Sequence, residues 1–92
     1  KGSIIINVSR AQLIERYSLI SCLKNGKLRG LGIDAHYVEP TQKNDELLSL
    51  QNVICTPHTA GSTKDTYERV IKKCVDNIKM MLFTKKCKNR VV

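Results

Sequence analysis

Residues 3–8 constrain the fold more than any other segment of this sequence. They read Ser-Ile-Ile-Ile-Asn-Val, with Gly2 before them and Ser9 and Arg10 after them. A short β-branched apolar run between such boundaries is typical of a strand that is buried on both faces. Strands of that kind are parallel, and parallel strands are joined by crossover helices. The run therefore predicts an α/β fold with a parallel sheet.

A helix is predicted directly after this strand, over residues 15–25. Leu19, Ile20 and Leu23 fall on one face of that helix, which is the spacing of an amphipathic helix packed on a core. Gly26 follows, and glycine readily adopts the left-handed conformation that ends many helices. This helix is expected to be the first crossover connection.

Two further strands are predicted downstream, at residues 28–35 and 53–56. A polar loop over residues 38–45 and a short helical turn over residues 46–50 lie between them. Three strands make a small sheet with exposed edges. The order of elements is typical of half of a doubly wound α/β domain with a mostly parallel sheet, rather than of a whole domain.

The chain is predicted to end in a helix of about 20 residues, because apolar residues recur at steps of three and four. That stripe consists of Tyr67, Ile71, Cys74 or Val75, Ile78, and Met81 or Leu82. Ser62 or Thr63 is expected to cap the helix, and Asp65 falls in its first turn, where the helix dipole favours a carboxylate.

Charge and hydropathy exclude several classes of protein. The 92 residues contain 16 Lys and Arg against 8 Asp and Glu, for a net charge of +8. Aromatic residues are only 4% and are not interleaved with the basic ones in a stacking pattern, so we do not expect nucleic-acid binding. The basic residues at the end are interpreted as a solvated helix end; they are Lys85, Lys86, Lys88 and Arg90. No apolar run approaches the roughly 18 residues that span a bilayer.

The four cysteines show no C-x-x-C spacing; they are Cys22, Cys55, Cys74 and Cys87. They fall on apolar faces or in the basic tail, and no secretion signal accompanies them. We interpret them as reduced cysteines of a cytoplasmic protein.

Ionisable residues follow the carboxyl end of each predicted strand, the edge where open α/β sheets bind ligands. The guanidinium of Arg10 matches the two oxygens of a carboxylate, and His58 can exchange a proton near neutral pH. Glu39 could pair with that histidine, and Asp34 could bond a ligand. Taken singly, each residue could instead be structural. His36 is a weaker candidate, because one histidine and two acids show no recognised metal-ligand spacing.

Four segments in order carry a resemblance to a known family. They are residues 4–10 (IIINVSR), 28–34 (LRGLGID), 39–40 (EP) and 52–61 (NVICTPHTAG). Together they resemble the C-terminal part of the NAD-binding domain of the D-isomer-specific 2-hydroxyacid dehydrogenases. The resemblance implies a partial Rossmann-like domain, the second half of a doubly wound dinucleotide-binding fold, with a long C-terminal helix.

The resemblance also implies roles for individual residues. Arg10 matches the arginine that binds the substrate's carboxylate and carbonyl oxygen, His58 the catalytic acid/base, and Glu39 the carboxylate that hydrogen-bonds that histidine. The cofactor-binding positions implied are Val8, Ser9, Arg10, Asp34, His58, Ala60 and Gly61. The cofactor is expected to be NAD, with NADP left open, and the substrate a small 2-hydroxy or 2-keto acid. No metal is expected.

The chain contains no G-x-G-x-x-G loop. Most of the family's cofactor-binding and substrate-binding residues are therefore expected to lie outside these 92 residues. Residues 1–62 are assigned to the C-terminal half of the NAD-binding domain, 63–84 to a helix returning toward the substrate domain, and 85–92 to a basic tail. We expect a fragment with little or no activity alone, from a homodimer without nucleic-acid or membrane partners. The alternative is a cofactor-sensing, corepressor-like binding module, since such relatives keep the Arg-Glu-His set.

Overall fold

Residues 2–85 and residue 89 are described by the structure, a computed structural model. The elements are β1 (Ser3–Asn7), α1 (Arg16–Lys24), β2 (Leu28–Ile33), α2 (Glu46–Ser49), β3 (Val53–Cys55) and α3 (Lys64–Thr84). A short 3-10 turn, Ala11–Leu13, lies between β1 and α1. The chain divides into two compact units, one ending at Ala60 and the other beginning at Gly61.

The first unit is built on a parallel sheet with the strand order β1-β2-β3, which confirms the predicted α/β fold class. The register pairs Asn7 with Ile33, and Ile33 with Cys55. These are the last residues of the three strands. The carboxyl ends of all three strands therefore finish level at one edge of the sheet.

One face of this sheet carries the hydrophobic core. Ile5, Leu31 and Val53 are paired across the strands on that face. The buried core joins the face to the helices; it consists of Ala11, Leu19, Ile20, Leu23, Leu31, Ile33 and Leu47. The predicted buried face of α1 is thereby confirmed. Glu15 caps this helix, since its carboxylate accepts hydrogen bonds from the N–H groups of Tyr17 and Ser18.

The other face of the sheet is exposed, so the prediction that the first strand is buried on both faces is wrong for this chain. Side chains alternate along a strand, which places Ile4 and Ile6 on the face opposite the core. Ile6 is 76% exposed. It is paired with Gly32 on β2, which has no side chain to cover it. Ile54 follows on β3 at 73% exposure. The apolar run thus reports a strand with two apolar faces, of which the described residues cover one.

The segment between β2 and α2 is tied to α1. Arg16 donates from Nη1 and Nη2 to the two carboxylate oxygens of Asp45, over 3.2 and 3.1 Å. Its guanidinium also lies 5.4 Å from the centre of the Tyr37 ring. The hydroxyl of Tyr37 in turn donates to the carbonyl of Ile14 at 2.6 Å. The segment is thus held near both of its ends, at Tyr37 and at Asp45.

The second unit contains α3, whose 21 residues match the predicted long helix. Thr63 caps it by accepting from the N–H of Thr66, and Asp65 lies in its first turn, both as predicted. None of its residues is buried, and the apolar stripe is exposed at Tyr67, Ile71, Val75, Ile78, Met81 and Leu82. Among the described residues, no helix is long and apolar enough to cross a membrane.

Several predictions concern the C-terminal end. Apart from Lys85 and Asn89, the predicted basic tail over residues 85–92 lies outside the described residues, as does Cys87. The other cysteines are free thiols; they are Cys22, Cys55 and Cys74. The predicted division into residues 1–62, 63–84 and 85–92 stays a prediction.

Candidate active site

The sequence-predicted site residues of the first unit follow the level carboxyl ends of the strands. Arg10 comes just after β1, Asp34 and Glu39 after β2, and His58 after β3. Because the three strand ends are in register, these connections leave the sheet at the same edge. That edge is where open α/β sheets bind ligands.

Asn7 shapes the turn that carries Arg10. The Asn7 side chain is buried, donates from Nδ2 to the carbonyl of Arg10 at 2.8 Å, and accepts from the N–H of Ser9 at 3.1 Å. Local bonds of this kind stabilise a turn. Val8, Ser9 and Arg10 are all exposed on it, and Nη1 of Arg10 donates to the carbonyl of Ser9 at 2.7 Å. The guanidinium is therefore accessible to a ligand.

Glu39 and His58 form the hydrogen-bonded pair that the sequence predicts. Nδ1 of His58 lies 2.8 and 2.9 Å from the two carboxylate oxygens of Glu39, and both side chains are 41% exposed. The pKa of Glu39 is lowered, first by a hydrogen bond from the N–H of His36 and then by the bond from His58. The carboxylate therefore stays ionised and accepts the Nδ1 proton, which leaves Nε2 for proton exchange.

His58 has an uncommon backbone conformation. Its φ of 55° lies in the left-handed region, which costs a residue with a side chain about 1–2 kcal/mol. The N–H of His58 donates to the carbonyl of Thr56 at 3.0 Å, so Thr56, Pro57 and His58 form a tight three-residue turn. A strained backbone of this kind is held by its surroundings, and such residues cluster at functional sites.

Asp34 is a buried carboxylate, 2% exposed, beneath the loop that carries His58. It accepts hydrogen bonds from the hydroxyl of Thr56 and from the N–H groups of Thr59 (3.0 Å) and Ala60 (2.9 Å). The bond from the Thr56 hydroxyl, followed by that from Ala60, lowers the pKa of Asp34. Asp34 thus holds both sides of the His58 turn, and its role toward a cofactor stays a prediction.

Two contributors to this edge were missed by sequence reasoning. Thr56 was predicted only as the end of a strand, and His36 only as a weak metal ligand. No group of three or more metal-ligating side chains lies together among the residues the structure describes. His36 instead bonds to both connections of the site, as described below. The available signal was its position between Asp34 and Glu39 at a predicted strand end.

A cleft of about 370 Å³ opens beside the Glu39–His58 pair; it is lined by His36, Glu39, Pro40, Thr41, Pro57 and His58. The imidazole of His58 lines one wall of the cleft, and Arg10 presents an exposed guanidinium after β1, which pairs with β2. An acid/base and a cation are the groups that stabilise negative charge on a reacting oxygen.

Comparison with known proteins agrees with this geometry. Residues 1–60 match the family model described as the D-isomer specific 2-hydroxyacid dehydrogenase, NAD binding domain. The chain belongs to this family. It is 36% identical over 91 residues to the glyoxylate/hydroxypyruvate reductase B of Erwinia tasmaniensis. This match covers 99% of this chain and 28% of that protein. A D-specific alpha-keto acid dehydrogenase of Enterococcus faecium is 42% identical over 93 residues. This match covers 83% of this chain and 29% of that protein.

A solved member of the family shows the same fold. The chain is similar to the NADPH-dependent glyoxylate/hydroxypyruvate reductase of Sinorhizobium meliloti, crystallised with NADP and malonate, with a TM-score of 0.69 and 32% identity. The match covers 92% of this chain and 26% of that one. These three relatives are therefore three to four times as long as this chain, which corresponds to part of their NAD-binding domain.

Proposed function

We propose that this chain is part of a longer protein, which interconverts a D-2-hydroxy acid and its 2-keto acid by hydride transfer with NAD or NADP. The observation that carries the proposal is the Glu39–His58 pair on the strand-end edge that also bears Arg10. Membership of the family supports a shared catalytic role for these three residues, since the relatives named above are reductases and dehydrogenases of such acids.

His58 is proposed as the acid/base. Reduction of a 2-keto acid builds negative charge on the carbonyl oxygen, and a proton from Nε2 of His58 would neutralise it. In the oxidation direction, the same nitrogen would accept the hydroxyl proton. Glu39 accepts the Nδ1 proton and orients the imidazole, because its own lowered pKa keeps it anionic.

Arg10 is proposed as the substrate clamp. A guanidinium binds a carboxylate through two parallel N–H bonds and can also polarise a neighbouring carbonyl oxygen. The exposed position of Arg10 after β1 leaves it accessible to such a substrate. Binding the substrate's carboxylate there would hold the substrate at the strand-end edge that also carries His58.

Nicotinamide is the cofactor that fits this edge, and when bound it would supply the hydride acceptor or donor. The exposed residues Val8, Ser9 and Ala60 lie next to the strand ends, where dinucleotides bind in this fold. Asp34 and Gly61 are also proposed cofactor positions. NADP is as compatible as NAD, since the S. meliloti relative holds NADP.

Three further features of the longer protein belong to the same proposal: a homodimeric assembly, a cytoplasmic location and the absence of a nucleic-acid partner. The free thiols of Cys22, Cys55 and Cys74 suit a reducing compartment. Neither the site geometry nor the relatives named above favour the corepressor-like alternative.

The test is nicotinamide oxidation by the purified longer protein, assayed with NADH and NADPH against glyoxylate, hydroxypyruvate and pyruvate. We expect at least one keto acid to be reduced, and the product to have the D configuration where the substrate is hydroxypyruvate or pyruvate, since the glycolate formed from glyoxylate is achiral. The 92-residue chain alone is the matched control and is expected to show little or no turnover, because most of the binding that orients the reactants lies elsewhere. A longer protein that turns over no 2-keto acid would contradict the proposal.

A further inference from the structure

His36 lies between the two connections that carry the proposed catalytic pair and bonds to both. Its backbone N–H donates to Oε1 of Glu39 at 2.8 Å. Its ring Nε2 lies 2.8 Å from the carbonyl oxygen of Thr56, the residue that begins the turn to His58. The residue is 9% exposed, so its ring position is set by packing as well as by this bond.

These contacts close a ring of four hydrogen bonds. Oε1 of Glu39 accepts from the N–H of His36 and also from Nδ1 of His58. The carbonyl of Thr56 accepts from the N–H of His58 and also from Nε2 of His36. Each histidine thus bonds to the same carboxylate oxygen and to the same carbonyl oxygen. His58 is consequently held through its imidazole and its backbone at once.

The chemistry of the acceptors fixes the donors. A carbonyl oxygen has no proton to give, so Nε2 of His36 must carry one. Groups in such a ring polarise one another, and moving one of them disturbs the rest. The left-handed backbone of His58 would otherwise relax, since its φ of 55° is unfavourable for a residue with a side chain.

We propose that His36 is a positioning residue, which fixes the Glu39–His58 pair by joining the Glu39 connection to the Thr56 carbonyl. The role rests on the proposed function of Glu39 and His58. It differs from a general packing role, because it depends on one ring donor, the Nε2 proton. The other half of the link is the backbone N–H of His36, whose hydrogen bond is the largest cause of the lowered pKa of Glu39, ahead of the bond from His58.

The experiment changes the ring and leaves the backbone N–H in place. H36F and H36L remove the donor with two different shapes, so the result does not depend on one side chain fitting. H36Q restores an N–H at about the reach of Nε2. Y37F is the matched control: it removes another side-chain-to-backbone bond, from Tyr37 to Ile14, on the next residue of the same segment.

In the longer protein we expect H36F and H36L to lower kcat for the keto acid about 10- to 100-fold, the cost of a small misplacement of a catalytic group. The KM for the nicotinamide should not change. H36Q should recover most of kcat, and Y37F should keep it. Equal loss of kcat in Y37F and H36F, or wild-type kcat in both donor-less variants, would overturn the proposal.

A second measurement separates this proposal from the proposed function. The carboxyl carbon of Glu39, labelled with ¹³C, is titrated by NMR in each variant. We expect its pKa to stay low in the wild type, H36Q and Y37F, and to rise part of the way in H36F and H36L, because the bond from Nδ1 of His58 is weakened while the N–H of residue 36 still donates. If the wild type reduces no keto acid but this pattern holds, the function fails while the positioning stands. An unchanged titration in both donor-less variants refutes the positioning by His36.

Discussion

Two carboxylates on the segment between β2 and α2 are paired with side-chain nitrogen donors, and the pairs differ in what surrounds them. Asp45 meets Arg16 at 3.1 Å with side chains 11% and 33% exposed. Glu39 meets His58 at 2.8 Å with both side chains 41% exposed. The longer contact is the more enclosed one. The shorter contact faces the cleft.

The difference indicates a division of labour along one segment. Arg16 bonds both oxygens of Asp45, and Asp45 also caps α2 by accepting from the N–H of Leu47. A half-enclosed pair with such extra bonds stabilises the fold, because neither partner can regain water without breaking it. The exposed pair adds little stability but remains accessible, which proton exchange with a substrate requires.

The largest effect is expected at the exposed pair. H58N should lower kcat of the longer protein for keto acid reduction about 10²–10⁴-fold, which is the usual contribution of a general acid. Asparagine tolerates the left-handed backbone of this position, so the turn should persist. Steady-state kinetics check this, and D45N is the control that should leave kcat as it is. If D45N removes as much kcat as H58N, the two pairs do not divide their roles.

The enclosed pair should show the reverse pattern. D45N keeps an N-capping side chain for α2 but removes the charge that Arg16 meets, so we expect it to lower the free energy of unfolding by about 2 kcal/mol. R16K should lower the free energy of unfolding by less than D45N does. Lysine keeps the positive charge but cannot bond both carboxylate oxygens in one plane. Denaturant unfolding at constant m-value is the measurement. Wild-type stability in D45N would contradict a structural role for the pair.

Acid should erase the difference between wild type and D45N. Burial by itself raises the pKa of Asp45, but the hydrogen bonds from Arg16 and from the N–H of Leu47 outweigh it, and the pKa is lowered overall. A carboxylate with a depressed folded-state pKa contributes stability above its unfolded pKa of about 3.9 and loses it as the pH falls through the folded value. The difference in unfolding free energy between wild type and D45N should therefore be constant near neutral pH. It should shrink as the pH falls below about 4. If this difference persists in acid, the lower stability of D45N has a cause other than the lost carboxylate charge.

Sequence reasoning placed the exposed pair and missed the enclosed one, for a physical reason. Arg10, Glu39 and His58 follow strand ends, and parallel strands in register bring those ends to one edge. No periodicity relates Arg16 to Asp45, because their contact depends on how α1 packs on the sheet. Which face of β1 is covered was unpredictable for the same reason. Alternation shows that both faces are apolar, but the covering layer lies outside the strand.

The smallest effect is expected on α3, where the shortest distance is no guide to strength. Nζ of Lys72 lies 2.8 Å from a carboxylate oxygen of Asp76, as close as Glu39 is to His58, yet the two side chains are 76% and 52% exposed. Water competes for both ends, salt screens the charges, and lysine preceding the acid is the less favourable order along a helix. D76N should leave the unfolding free energy indistinguishable from wild type, since asparagine and aspartate have similar helix propensities. A loss as large as that of D45N would mean that separation, and not enclosure, decides which of these pairs stabilises the fold.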